Sequence, residues 1–223
     1  MIPLERIDRA ARALRETLPV FTRGNLFHAT ARACRRPIAR GAFDAALERR
    51  LARGPLDGLL APARRAGPKA AKLSPSEQRA YYPAGILLVD RASLVDLFAA
   101  SGALIQARVA VVATSGHPRD VVDWLALGAR AGRTAPVGYL HDASTVLYPF
   151  FFEPLATLFA RDAAVPFRDL GLRRGRGFRD PYTRERVFDL EAATPAALVS
   201  CAVRGVLDML EPDRMLAPLA PPR

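Results

Sequence analysis

Hydrophobic positions follow two different periods along this chain. From Leu4 to Leu18 they recur at Leu4, Ile7, Ala11, Leu14 and Leu18, with Arg and Glu on the other face. That spacing predicts an amphipathic helix, which Pro19 ends. Thr22 is placed to cap a second helix running through Asn25, Leu26, Ala29 and Ala33. A third is expected over Arg40 to Arg53, with Phe43, Ala46, Leu47 and Leu51 inward and Gly54-Pro55 as its stop. Further on, short apolar runs replace the helical spacing: Ile86 to Val89, Val109 to Ala113 and Val137 to Leu140. Between them lie helical patterns at Ser93 to Ala100 (Leu94, Leu97 and Phe98 inward) and Pro118 to Ala131. Strand starts 23 and then 28 residues apart suit parallel strands joined by right-handed crossovers.

The expected fold class is α/β, a parallel sheet with an N-terminal helical module. Residues 1–60 read as a helical or winged-helix-like module, and the alternative is a helical cap packed on the α/β domain. Residues 61–83, rich in Ala, Pro, Arg and Lys, read as a basic linker. The α/β core spans 84–165. Residues 166–223 complete it with an edge strand near Arg168 to Leu172, a basic Gly-rich loop from Arg173 to Arg179, and a last helix from Pro195 to Leu210. That helix is expected to bury Ala197, Leu198, Cys201, Val206 and Leu207. The Pro-rich tail to Arg223 is expected to fray.

The chain has 223 residues, half of them hydrophobic, which suffices for a sizeable core and argues against disorder. Its net charge of +11 comes from 33 basic and 22 acidic residues, and only Lys69 and Lys72 are lysines. A positive excess of this size suits a polyanion such as nucleic acid, DNA before RNA, although an Arg-rich composition alone also produces it. Cys34 and Cys201 lie far apart, which excludes a cysteine zinc site and a disulfide scaffold; buried free thiols are expected. The start Met1-Ile2-Pro3-Leu4-Glu5-Arg6 is unlike a signal peptide, and no apolar run is long enough to span a bilayer. A cytoplasmic protein away from membranes is the simplest expectation.

Chemistry is expected at the carboxyl ends of the strands, where open parallel sheets bind ligands. Asp90 follows the first run and His141-Asp142 the third. Two converging aspartates can hold Mg²⁺, with Asp120, Asp123 or Glu153 as a third ligand. The alternative is that both cap the helices after them. After the second run, Thr114, Ser115, Gly116 and His117 precede a helix start at Pro118, where backbone N–H groups can receive a phosphate. This loop lacks the Lys of a P-loop. His28, His117 and His141 are the only histidines, too few for an HD-type metal hydrolase, and neither Ser115 nor Ser144 has a nucleophile-elbow context. Arg173, Arg174, Arg176 and Arg179, with Phe178 among them, suit a phosphate backbone and a stacked base. A solvated surface loop is the plainer account of the same residues.

The order of these parts resembles the A subunit of DNA topoisomerase VI and the meiotic double-strand-break transesterase, which couple a winged helix to a Toprim domain. Val89-Asp90-Arg91 stands where the family has a Val-Glu-Lys-like acid. Ala113-Thr114-Ser115-Gly116-His117-Pro118 stands at the Thr-Gly-x-Gly-x-Pro loop, and His141-Asp142-Ala143-Ser144 at Asp-x-Asp. Phe21-Thr22-Arg23-Gly24-Asn25-Leu26-Phe27-His28 is similar to the stretch that carries the DNA-cleaving tyrosine. The resemblance implies a Toprim-like, or more generally Rossmann-like, core, with His28, Asp90 and Asp142 at the catalytic positions, Mg²⁺ on Asp90 and Asp142, and Arg23 near DNA. The departures are Asp90 for Glu, Ser144 for the second acid, and His28 for the tyrosine, which cannot readily form the covalent phosphotyrosyl link.

Three functions follow as expectations. The first is a DNA-binding, cleavage-deficient relative acting within a larger complex, with a protein partner or a homodimer. The second is a Mg²⁺-dependent nuclease or phosphotransferase using Asp90 and Asp142. The third is an interaction scaffold that buries the aromatic run Tyr148 to Phe152 against a partner.

Overall fold

The structure is a computed structural model, and it describes residues 1–61, 83–113, 135–142, 167–171, 178–179, 186–187 and 189–210. Three helices come first: α1 (Leu4–Arg15), α2 (Arg23–Cys34) and α3 (Arg40–Leu51). A four-stranded parallel sheet follows, made of β1 (Gly85–Val89), β2 (Val109–Ala113), β3 (Val137–Leu140) and β4 (Phe167–Asp169). Helix α4 (Ala92–Ser101) and the short α5 (Ala103–Gln106) lie between β1 and β2. A small antiparallel pair, β5 (Phe178–Arg179) and β6 (Arg186–Val187), precedes a 3₁₀ turn over Leu190–Ala192 and the long α6 (Pro195–Leu210). This is an α/β fold with an N-terminal helical module.

Helix α1 buries Ile7, Ala10, Ala11 and Leu14, one face at helical spacing. It ends at Arg15, three residues short of the expected Leu18, because Glu16, Thr17 and Leu18 close the last turn by donating their N–H groups to Arg12 and Leu14 carbonyls. Thr22 caps α2 in a reciprocal box: its hydroxyl accepts from the Asn25 N–H, and the Asn25 side chain accepts from the Thr22 N–H. The chain then returns after α3, and a parallel bridge between Phe21 and Leu59 closes the module. Phe21, Leu26, Phe43 and Leu47 fill its core without measurable exposure.

The strand order is β2-β1-β3-β4. The crossover from β1 goes to one side, the next comes back to the other, and the ends of β1 and β3 are left side by side. That reversal is the switch point at which such sheets bind ligands. All five β1 residues are buried, as expected for a central parallel strand covered on both faces. Leu87 and Val89 pack with Leu94, Leu97 and Phe98 of α4 and with Leu198, Ala202 and Val206 of α6. Leu18, Val20 and Leu60 of the helical module pack against the same core. Thus the two cores touch.

Helix α6 corrects the sequence reading. Its buried face is Pro195, Leu198, Val199, Ala202 and Val206, whereas Ala197, Cys201 and Leu207 are exposed. With apolar residues nearly all round, the helix offers several apolar stripes, and the shape of the sheet selects one of them. The expectation of buried thiols also fails: Cys201 is exposed and Cys34 half-buried. The inward set of α3 holds for Phe43, Ala46 and Leu47, while Leu51 is half-buried. The predicted helix at 118–131, the aromatic run 148–152 and most of the linker lie outside the described residues.

The phase of α6 has a direct check. In the native protein Cys201 should react with a disulfide reagent at a rate near that of an unfolded thiol. Cys201→Ser should shift stability by less than about 0.5 kcal/mol, whereas Leu198→Ala should cost about 2–5 kcal/mol in urea unfolding. A Cys201 that reacts only after unfolding would put it back on the buried face.

Candidate functional site

The ends of β1 and β3 are tied together by their own acids. Asp90 accepts hydrogen bonds from the Tyr139 hydroxyl and, at 3.2 Å on Oδ2, from the Asp142 N–H. It does not cap the helix after it, since the residue before α4 is Arg91 and makes no side-chain cap. Asp142 accepts the Leu190 N–H on Oδ1 at 2.7 Å and the Arg91 guanidinium on Oδ2 at 2.5 Å. The two aspartates therefore do share one edge: Asp90 holds the neighbouring strand rather than its own helix, and Asp142 holds the turn at Leu190.

Arg91 is the centre of this site. Its Nη2 lies 2.5 Å from Asp142 and 3.1 Å from Asp189, and its Nη1 lies 2.6 Å from Glu191. Burial by itself would ease the proton off the guanidinium. Asp142, Asp189 and Glu191 outweigh burial and hold the charge more firmly than on a free arginine. Asp189 is half-buried, which opposes ionisation. The approach of His28, the Arg91 charge and the Glu191 N–H reverse that effect and bring its pKa down to about 2. Asp142 moves the other way: burial, with Asp189 close by, leaves its carboxyl above the usual aspartate range despite the Leu190 N–H and Arg91. The upward shifts of Arg91 and Asp142 look contradictory for a bonded pair. The firmly held charge on Arg91 is the secure direction, because three carboxylates compete for that one cation and Asp142 is the one left least favoured.

Glu191 is buried and takes donors from three places. Its Oε1 accepts from the Thr22 hydroxyl and from Ser93 Oγ at 3.1 Å, and its Oε2 accepts from Arg91. The Thr22 proton goes to this carboxylate rather than to Asn25, as a charged acceptor is the stronger one. Gly24 makes the approach possible. A Cβ there would lie 2.0 to 2.6 Å from the carboxylate atoms of Glu191. Asn25 Nδ2 donates to the Glu191 and Ala193 carbonyls at 3.0 and 3.1 Å, and Arg32 donates to the Ala192 carbonyl at 2.9 Å.

His28 reaches the same cluster from α2. Its Nε2 lies 3.3 Å from Asp189 Oδ2, at an angle too poor for a hydrogen bond. His28 and Asp142 are thus linked through Asp189 and Arg91, and Asp90 joins them through the Asp142 N–H. Arg23, expected at nucleic acid, instead bonds Asp44 and Glu48 on α3, each at 3.1 Å. Thr114, Ser115, Gly116, His117, Arg173, Arg174 and Arg176 lie outside the described residues, as do Asp120, Asp123 and Glu153 and the side chain of Arg179. Sequence reasoning missed Arg91, Asp189 and Glu191. The adjacency of Arg91 to Asp90, and two acids just before a predicted helix, were the only local signals for them.

The donor set does not fit Mg²⁺ as placed. All four oxygens of Asp90 and Asp142 already accept from protein donors, and a fixed cation stands against Asp142. Mg²⁺ needs open oxygen ligands in near-octahedral array, together with several waters. Among the described residues no group of three or more His, Cys, Asp or Glu side chains is arranged to hold a metal ion. Among the same residues, no helix is long and apolar enough to cross a membrane.

One more pair lies at this edge. His141 Nε2 faces Asp169 Oδ1 at 3.0 Å, and Nδ1 faces the Asp142 carbonyl at 2.8 Å. Both partners are acceptors, so the ring satisfies both only as imidazolium. The ring also fills the space beside Gly171, where a Cβ would come within 2.3 to 2.6 Å of it. Burial opposes the charge, but Asp169 and the Asp142 carbonyl prevail and raise the pKa above 6.5.

No family model, no curated protein and no solved structure matches the chain.

The His141–Asp169 pair has a pH signature. A folded-state pKa above the unfolded value adds stability that is complete below about pH 6.5 and fades as pH rises through the folded value. Urea unfolding should therefore show the wild-type chain losing stability relative to His141→Gln as pH rises above about 6.5. Equal slopes for the two proteins over that range would show that the ring does not gain its proton on folding.

Proposed function

We propose that this chain binds DNA and does not cut it. The observation that carries the reading is where the charge stands. Residues 1–60 hold twelve arginines against six acidic residues. Arg9, Arg12, Arg35, Arg36, Arg49 and Arg53 are exposed, and among the described residues none of these six side chains has a bonding partner. Unpaired guanidinium groups on short helices and in the turns that follow them attract a phosphate backbone and release its counterions on contact. The acids of the sheet edge, by contrast, are turned inward onto Arg91 and backbone N–H groups, so they weaken the outward field little and offer no open ligand set for phosphoryl transfer.

The resemblance to the topoisomerase VI A family supports the same reading. Its order of parts is present, its cleaving tyrosine is His28, and its second strand-end acid is Ser144. A Toprim-like platform that has kept the DNA-facing charge and lost the cutting chemistry accounts for both. The basic loop at Arg173, Arg174, Arg176 and Arg179 belongs to this reading as a second phosphate contact, and action within a larger complex belongs to it as well.

Fluorescence anisotropy with a labelled duplex tests the proposal. Affinity should fall at least about tenfold between roughly 50 and 200 mM salt. Replacing Arg35 and Arg36 by Ala should lower affinity and flatten the salt slope by about one for each phosphate no longer neutralised, and the triple change at Arg173, Arg174 and Arg176 should do likewise. Incubation of supercoiled or linear DNA with Mg²⁺ should leave it intact. Binding that is absent or indifferent to salt would overturn the DNA reading. Cleavage that Asp142→Asn abolishes would make the protein a nuclease.

A further inference from the structure

We propose that Arg91 is the resident cation of the switch-point site and that, through Glu191, it clamps the helical module onto the sheet. The task of a divalent ion at such a place is to draw several carboxylates onto one positive centre. Here the chain supplies that centre itself. The guanidinium reaches Asp142 from the end of β3, and Asp189 and Glu191 from the 3₁₀ turn, all within 3.1 Å. A planar fork of donors suits this task better than a point charge, because Nη1 and Nη2 serve different carboxylates at the same time.

The carboxylates are aimed at Arg91 by bonds that do not involve it. Asp142 is oriented by the Leu190 N–H, Asp189 by the Glu191 N–H at 2.8 Å, and Glu191 by Ser93 and Thr22. Without the guanidinium they would crowd together as uncompensated charges with Asp90 close by. Glu191 bonds both modules, with Arg91 and Ser93 on the sheet side and Thr22 on the helical side, and Asp189 beside it reaches from Arg91 to within 3.3 Å of His28 on α2. Gly24 lets the start of α2 close onto the carboxylate, and Asn25 and Arg32 fasten the Glu191–Ala193 carbonyls. Glu191 is therefore a positioning residue. It fixes how the arginine-bearing helices are presented relative to the sheet.

Two measurements on the full chain decide this. The first is hydrogen exchange. In Glu191→Ala, the amides of Arg23 to Leu26 and those of Leu190 to Ala193 should speed up together, by at least about tenfold, while β1 amides change less. Glu191→Gln keeps the shape and loses the charge, and should fall between. Arg91→Lys, which keeps the charge and loses the fork, should also loosen both segments; it serves in place of Arg91→Ala, which is expected to fold poorly. If α2 exchange is unmoved in Glu191→Ala, or if Arg91→Lys behaves as wild type, the clamp is wrong. The second measurement is the thermal midpoint of the wild-type chain in about 5 mM Mg²⁺ or Mn²⁺ against NaCl of equal ionic strength. The two should coincide. A rise specific to the divalent ion would show an open cation site and would overturn the assignment of Arg91. Neither measurement involves nucleic acid, so the clamp and the DNA reading stand or fall separately.

Discussion

One guanidinium stands among three carboxylates where β1 and β3 end, and the rest of the molecule is arranged around that imbalance. The strand order β2-β1-β3-β4 makes the crowding unavoidable, since it sets Asp90 and Asp142 on adjacent strands. Two partly buried acids in that position need donors or a cation. The chain supplies both: the Tyr139 hydroxyl and backbone N–H groups for the outer lone pairs, and Arg91 for the charge. Breaking a buried ion pair by removing one partner commonly costs about 3–5 kcal/mol, because the other charge stays buried. Arg91 is about one-third exposed, with 36 % of its side-chain surface open, so solvent takes up part of that cost.

The same interaction joins parts of the chain that have separate hydrophobic cores. The helical module has its own core of Ile7, Leu14, Phe21, Leu26, Phe43 and Leu47. The sheet core is built by α4, β1, β3 and α6. Arg91 and Glu191 are 100 residues apart, and Thr22 and Glu191 are 169 apart. Contacts of such separation carry the loop-closure cost of the whole intervening chain and form late relative to local helices. A buried polar network also demands one geometry, where an apolar seam tolerates sliding. The seam here is both: Leu18, Val20 and Leu60 supply apolar contact, and Glu191 supplies register.

What the sequence made legible follows the physics of each signal. The first three strands stood out because each is a continuous apolar run, as central parallel strands β1 and β3 require and as β2 at the sheet's end shares, and their lengths came out nearly residue for residue. The cap at Thr22 was readable because capping is a local event within four residues. That Asp90 and Asp142 share an edge followed from strand polarity alone. Their partners were out of reach for the opposite reason. Asp189 and Glu191 lie in a 3₁₀ turn, too short to show a period, and nothing near them indicates contact with Arg91 or Gly24. In α6 the buried stripe was misplaced because Ala, Leu, Val and Cys surround the helix, and hydrophobicity without contrast does not fix a phase. His28 was singled out for a catalytic position through the family resemblance, and it lies against Asp189, an acid whose role was not foreseen.

The distribution of charge connects the hub to the proposed function. A protein with a net charge of +11 and an open acidic cleft would present two opposed surfaces to a polyanion, and the cleft would repel the phosphate it is meant to approach. Metal enzymes resolve that conflict by filling the cleft with divalent ions. Here an arginine of the chain occupies it, so part of the repulsion is offset without an exchangeable ion. The consequence is a division of labour by sign. The acidic side chains bind the molecule to itself at the sheet edge, and the unpaired arginines of the helices are left to face outward. Under the proposed function such a surface would favour attachment to phosphate over chemistry upon it, because Asp90 and Asp142 are already engaged in holding the fold.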